Sequence, residues 1–175
     1  MDKQQETKST NIISSPSVSS NISSKEATVL DWAKYYVFKL GFSVILIQYK
    51  GKKPAVGSWA EFQKRKPTLE ELEAWFSNGN RNIGIITGSI SGITVVDADN
   101  EGGIQHCESN GLADAPKVKT CKGFHYYCQY VDGVGNGQDI LNDETKIIDV
   151  RSEGGYIIAP PSVHESGVQY EWEGN

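Results

Sequence analysis

Two short stretches place acids at the ends of apolar runs, where carboxylates can gather a cation. In Val95-Val96-Asp97-Ala98-Asp99 the acids stand two residues apart, and a strand's side chains alternate between faces, so Asp97 and Asp99 share one face. Carboxylates that close repel one another unless positive charge lies between them. Hard oxygen donors of this kind suit Mg²⁺ or Mn²⁺. A solvated turn after the strand accounts for the same pair, since Asp is common there. Ile147-Ile148-Asp149-Val150-Arg151 repeats the theme, with Asp149 offering an acid and Arg151 a planar donor for phosphate or carboxylate. An Asp–Arg pair on an edge strand is the plainer reading of that segment. A third acid beside Asp97 and Asp99 would supply the several carboxylates that two-metal phosphoryl transfer requires.

Cations and a histidine could complete such a centre. In Thr120-Cys121-Lys122-Gly123-Phe124-His125, Gly123 permits close backbone approach and His125 can point a donor at a phosphate. A hydrogen-bonded structural histidine fits the same residue. Residues 50–66 carry Lys50, Lys52, Lys53, Lys64, Arg65 and Lys66 against the single acid Glu61. A charge run is often only a solvated face, but Gly51 and Pro54 would fix where the lysines of Gly51-Lys52-Lys53-Pro54 aim. Lys117, Lys119 and Lys122 form a second cluster before His125.

Elements must hold these groups in place, and their signals are readable. Ser23 and Glu26 have capping-box spacing, and Leu30, Ala33, Val37 and Leu40 recur at helical intervals before Gly41. Residues 43–49 read as a strand and 50–66 as a loop. Thr68 and Glu71 cap a second helix that runs through Leu72 and Trp75-Phe76. Strands are predicted at 83–87 and 93–97, joined by a Gly88-to-Gly92 turn, then at 117–122, 124–129, 146–151, 155–159 and 168–172. Residues 131–145, rich in Gly, Asp and Asn, read as a mobile loop. A helix, a strand, a second helix and then many strands predict an α+β sheet domain.

The 175 residues suit one domain and a tail. Residues 1–23 are rich in Ser and Asn and lack aromatic residues, so they are expected to be disordered, with the folded domain spanning 24–175. No apolar run approaches the ~20 residues of a membrane span, and no signal-peptide h-region is present, which points to a cytoplasmic chain. Cys107, Cys121 and Cys128 are odd in number and form no C-x-x-C pair, so neither a disulfide framework nor a four-ligand zinc site is expected. The net charge of −5 argues against a nucleic-acid binder acting through overall positive charge. Its distribution says otherwise, because three acids are candidates for cations while a cationic segment lies elsewhere.

Taken in order, these segments resemble the N-terminal catalytic domain of bifunctional DNA primase-polymerases, of the archaeo-eukaryotic primase superfamily. The resemblance runs through Gly51-Lys-Lys-Pro54, Trp75-Phe76, Asn82-Ile-Gly-Ile-Ile-Thr-Gly88, Val95-Val-Asp-Ala-Asp99, Gly102-Gly103, the His125 strand and Ile148-Asp-Val-Arg-Ser-Glu-Gly-Gly-Tyr-Ile-Ile-Ala-Pro-Pro-Ser162, with His164 and Gly167. It implies an RRM-like mixed or antiparallel sheet with flanking helices. Asp97, Asp99 and Asp149 would be the catalytic ligands of two divalent ions, Mg²⁺ or Mn²⁺. His125, with Lys122, Arg151 and Lys53, would bind nucleotide or template phosphates. The implied activity is template-directed nucleotidyl transfer from dNTPs or NTPs on single-stranded DNA, in replication of a plasmid, phage or integrated element. A replicative helicase domain or protein is the implied partner. Two other readings of the same residues remain: a metal-dependent nuclease or phosphohydrolase, and a nucleic-acid-binding module of a replication protein with little or no turnover.

Overall fold

A computed structural model describes residues 27–142, 145 and 147–174. The first helix, α1 (Val29–Phe38), starts at a capping box one turn later than the one expected: Thr28 Oγ1 accepts the Asp31 N–H at 3.2 Å and the Asp31 carboxylate accepts the Thr28 N–H at 2.9 Å. The Ser23–Glu26 pair, like the 1–23 segment, lies outside the described residues. Trp32, Ala33, Tyr36 and Val37 form the buried face of α1. Leu40 falls beyond the helix, and the chain turns at Gly41 with φ +75°. The second helix, α2 (Leu69–Phe76), begins at the expected Thr68–Glu71 box and buries Leu72 and Phe76.

The strands form two antiparallel sheets. One has three strands, β1 (Ser43–Ile47), β2 (Asn82–Ile86) and β8 (Tyr156–Ala159), in the order β1-β2-β8. The other has six: β3 (Ile93–Ala98), β4 (Lys117–Lys119), β5 (Phe124–Gln129), β6 (Gly137–Asn142), β7 (Ile147–Arg151) and β9 (Glu171–Glu173). Their order is β6-β7-β3-β5-β4-β9. Every residue of β1 and β2 is buried, which is why those segments read as unbroken apolar runs. With α1, α2 and β8 they form the larger core, which also takes Val95, Val118 and Tyr127 from one face of the six-stranded sheet.

The opposite face of that sheet carries Val96, Ala98, Tyr126 and Ile148, packed against Ile104, Cys107 and Leu112. Those last residues belong to α3 (Glu101–Cys107) and the irregular Glu108–Leu112 turn that follows. No helix was expected there, because Gly102 and Gly103 are weak helix formers. Gly103 is required by packing: a Cβ on it would lie 2.8 Å from the Ile147 carbonyl oxygen. Two further departures concern strands. Part of the 131–145 stretch pairs as β6 with β7, and the final strand is confined to Glu171–Glu173. The architecture is α+β with antiparallel sheets, as the sequence pattern indicates.

Candidate active site

Strand register builds the site. Asp97, on β3 in the middle of the larger sheet, stands directly opposite His125 on β5 and Asp149 on β7. Residues paired across antiparallel strands project to the same face, so the three side chains form one row. Arg151 is two residues beyond Asp149 and opposite Val95, hence on that face as well. Asp99 lies just past the end of β3, where its N–H donates to the Ile147 carbonyl at 3.0 Å and prolongs the ladder. Two acids close in sequence and a third fifty residues away are thereby brought to one end of one face.

The 120–123 loop closes over that strand end. Thr120 Oγ1 accepts the backbone N–H groups of Lys122 (3.1 Å) and Gly123 (3.0 Å). Gly123 packs so tightly on the Ala98 carbonyl that a Cβ has no room. The close approach expected of Gly123 is made to the backbone between the two acids.

A cavity of about 400 Å³ opens on this face, lined by Asp97, His125, Arg151, Lys52, Trp59 and Tyr156 among others. Its volume is in the range of small-molecule sites. Burial, reinforced by the charge of Asp99, pushes the Asp97 carboxyl up to about 7, against the opposing pull of Lys52 and Arg151. Burial first, then the same two cations, push His125 down to about 3, although the Ile158 backbone acts the other way. The imidazole is therefore uncharged at neutral pH, and the 3.5 Å approach of its Nε2 to Asp97 Oδ1 is not an ion pair. Its ring lies against Tyr170, with centroids 5.7 Å apart. Arg151 donates to the Asp149 carboxylate at 2.7 Å.

Asp97 Oδ1 and His125 Nδ1 are buried without a well-formed hydrogen bond among the described residues. An orphaned carboxylate oxygen is costly unless something outside the chain satisfies it. A buried acid with an oxygen that lacks a hydrogen bond, a second acid across the ladder and a third on the same face fit a hard divalent cation. No three His, Cys, Asp or Glu side chains among the described residues are already gathered at ligand spacing. The donors are aligned in register rather than preassembled into a cage.

The structure treats the expected basic residues unequally. All three lysines are exposed, but Lys52 lines the cavity, while Lys53 and Lys122 lie outside its lining. The turn that carries the two neighbouring lysines is fixed by Gln48 N–H donating to the Lys53 carbonyl at 3.0 Å. It is fixed again by the Tyr156 hydroxyl donating to the Lys52 carbonyl at 3.0 Å. The Gly-Lys-Lys-Pro spacing marked the turn but not which lysine faces inward. Sequence reasoning also missed Trp59, Asn136, Tyr156 and Tyr170 as lining residues. Tyr156 alone had a signal, directly after Gly154-Gly155 at the head of an apolar strand.

The family described as bifunctional DNA primase/polymerase, N-terminal, matches residues 33–175. The match takes in both sheets and every residue of the site. No curated protein matches the chain. Among the described residues, no helix is long and apolar enough to cross a membrane.

Proposed function

The chain belongs to the bifunctional DNA primase/polymerase N-terminal family, whose work is primase and polymerase chemistry on a DNA template with nucleotide substrates, and from that premise we propose template-directed nucleotidyl transfer at the Asp97 row. The carrying observation is the register that sets Asp97 between His125 and Asp149, with a buried Asp97 oxygen that lacks a hydrogen bond beside a cavity that Asp97, Lys52 and Arg151 line.

In this reading Asp97, Asp99 and Asp149 would hold two Mg²⁺ or Mn²⁺ ions. Bound ions would lower the pKa of the attacking 3′-hydroxyl and neutralise charge on the triphosphate and leaving pyrophosphate. Binding displaces the proton that burial retains on Asp97, so affinity rises with pH. Arg151 and Lys52 attract the triphosphate from the cavity wall. His125 addresses a phosphate oxygen as a neutral N–H donor, because burial between two cations disfavours the imidazolium. With the nucleotide so oriented, the 3′-oxygen attacks in line, its bond to the α-phosphorus forming as the bond to pyrophosphate breaks. The exposed lysines of the 50–66 segment, Lys53 among them, follow the template backbone through salt-dependent contacts. Lys122, exposed in the loop beside Gly123, adds to that field. The resemblance extends the proposal to replication of a plasmid, phage or integrated element with a helicase at hand.

The test is extension of a labelled primer, and synthesis without primer, on single-stranded template with dNTPs or NTPs and Mg²⁺ or Mn²⁺. Extension that vanishes in Asp97→Ala supports the reading. Strand shortening in place of extension identifies a nuclease, and template binding with no turnover under either metal identifies a binding module.

A further inference from the structure

The cavity wall has a part that nucleotidyl transfer leaves unexplained. Trp59 follows the 50–58 loop and immediately precedes a single 3-10 turn, Ala60–Gln63, and its ring is only partly buried. It meets Tyr156 edge to face, with centroids 5.2 Å apart and planes at 73°. Tyr156 is held from behind, since its hydroxyl is committed to the Lys52 carbonyl. Both rings line the cavity that contains Asp97, Arg151 and Lys52. Trp59 packs against the larger core without being fully buried in it, so part of its ring is left for the cavity.

We propose that Trp59, braced by Tyr156, is the stacking wall for the base of the incoming nucleotide. The identity of the ligand rests on the nucleotidyl-transfer reading. An aromatic face beside paired cations suits a molecule that is flat and apolar at one end and polyanionic at the other. Lys52 couples the two halves, for the same residue that lines the phosphate region supplies the carbonyl that anchors Tyr156. Stacking is indifferent to base identity, as a template-directed enzyme requires, because every base has a π-face. The cavity volume of about 400 Å³ fits one nucleotide and not a run of template, which favours the incoming nucleotide over the strand.

The experiment measures equilibrium binding of dATP and of inorganic tripolyphosphate in Mg²⁺ to the full chain, to Trp59→Ala and to Trp59→Phe, with oligo-dT binding alongside. Trp59→Ala is expected to weaken dATP about 5- to 150-fold, the effect of losing one stacked base. Tripolyphosphate should stay within about twofold, and Trp59→Phe should recover most of the dATP affinity. Equal losses for dATP and tripolyphosphate overturn the proposal, because Trp59 would then only shape the cavity. Unchanged dATP affinity overturns it as well, as does a loss confined to oligo-dT. Primer extension by the unaltered chain reports separately on the reading beneath. Extension with unchanged dATP affinity in Trp59→Ala removes the stacking wall alone. No extension under either metal, with dATP affinity lost in Trp59→Ala, removes the polymerase and keeps the wall.

Discussion

Replacing Asp97 by Asn should make the metal-free protein more stable while destroying its activity. The Asp97 carboxyl sits near 7 in the fold against an ordinary 3.8 in an unfolded chain, because burial and Asp99 disfavour its ionised form. A carboxyl held high contributes no penalty at low pH, where both states are protonated. As pH rises through 3.8 the unfolded chain releases its proton and the folded one does not, so stability falls until about pH 7 and then levels. At 1.36 kcal/mol per pH unit over a gap of about three, the cost reaches about 4 kcal/mol. Asn keeps the shape and carries no charge. In EDTA, urea denaturation of the two proteins should coincide near pH 4, and the variant should gain about 1.4 kcal/mol per pH unit on the parent up to pH 7. Adding Mg²⁺ or Mn²⁺ at pH 8 should then stabilise the parent and leave the variant unmoved. A variant less stable than the parent at pH 8 in EDTA, or a difference flat with pH, would refute the account of Asp97 as a carboxyl that burial holds protonated.

The remaining predictions address the parts around Asp97. Lys52→Ala should raise the KM for nucleotide at least tenfold in primer extension, while Lys53→Ala changes it less than threefold and mainly flattens the salt dependence of template binding. Gly123→Ala should cost about 1–3 kcal/mol in thermal or urea unfolding, since its methyl meets the Ala98 carbonyl, and extension should fall with the displaced strand end. Tyr36→Phe should cost about 1–3 kcal/mol with activity retained, because the buried hydroxyl donates to the Pro160 carbonyl at 2.8 Å and accepts from Trp172 Nε1 at 3.0 Å.

What could be read from the sequence divides along a physical line. Period-two spacing located Asp97 and Asp99 on one face and Asp149 with Arg151 on another strand's face, because alternation is a local property of extended backbone. The α2 cap was readable for the same reason: Thr68 and Glu71 satisfy donors within one turn. The α3 helix was not, since its glycines argue against it and only the Ile147 backbone lying alongside makes Gly103 an asset. Nor was the choice of Lys52 over Lys53. That depends on a hydrogen bond to Tyr156, more than a hundred residues along the chain.

The same distinction explains why net charge misled. Asp97 belongs to an acidic chain, yet its protonation is decided first by burial, then by Asp99 two residues along and by Lys52, Arg151 and Asp149, which only folding brings near. At a low-dielectric site these few neighbours outweigh the remaining charges, which water and salt screen. The fold thus sets acids beside cations, where a divalent ion can relieve the first and a polyphosphate the second. On that logic neither ligand should bind well alone: tripolyphosphate should tighten Mn²⁺ binding, and Mn²⁺ should tighten tripolyphosphate binding by the same factor. Calorimetric titration of each ligand in the presence and absence of the other measures both factors. Independent binding would mean that the acids and the cations act as separate sites, contrary to the single row that the register of β3, β5 and β7 constructs.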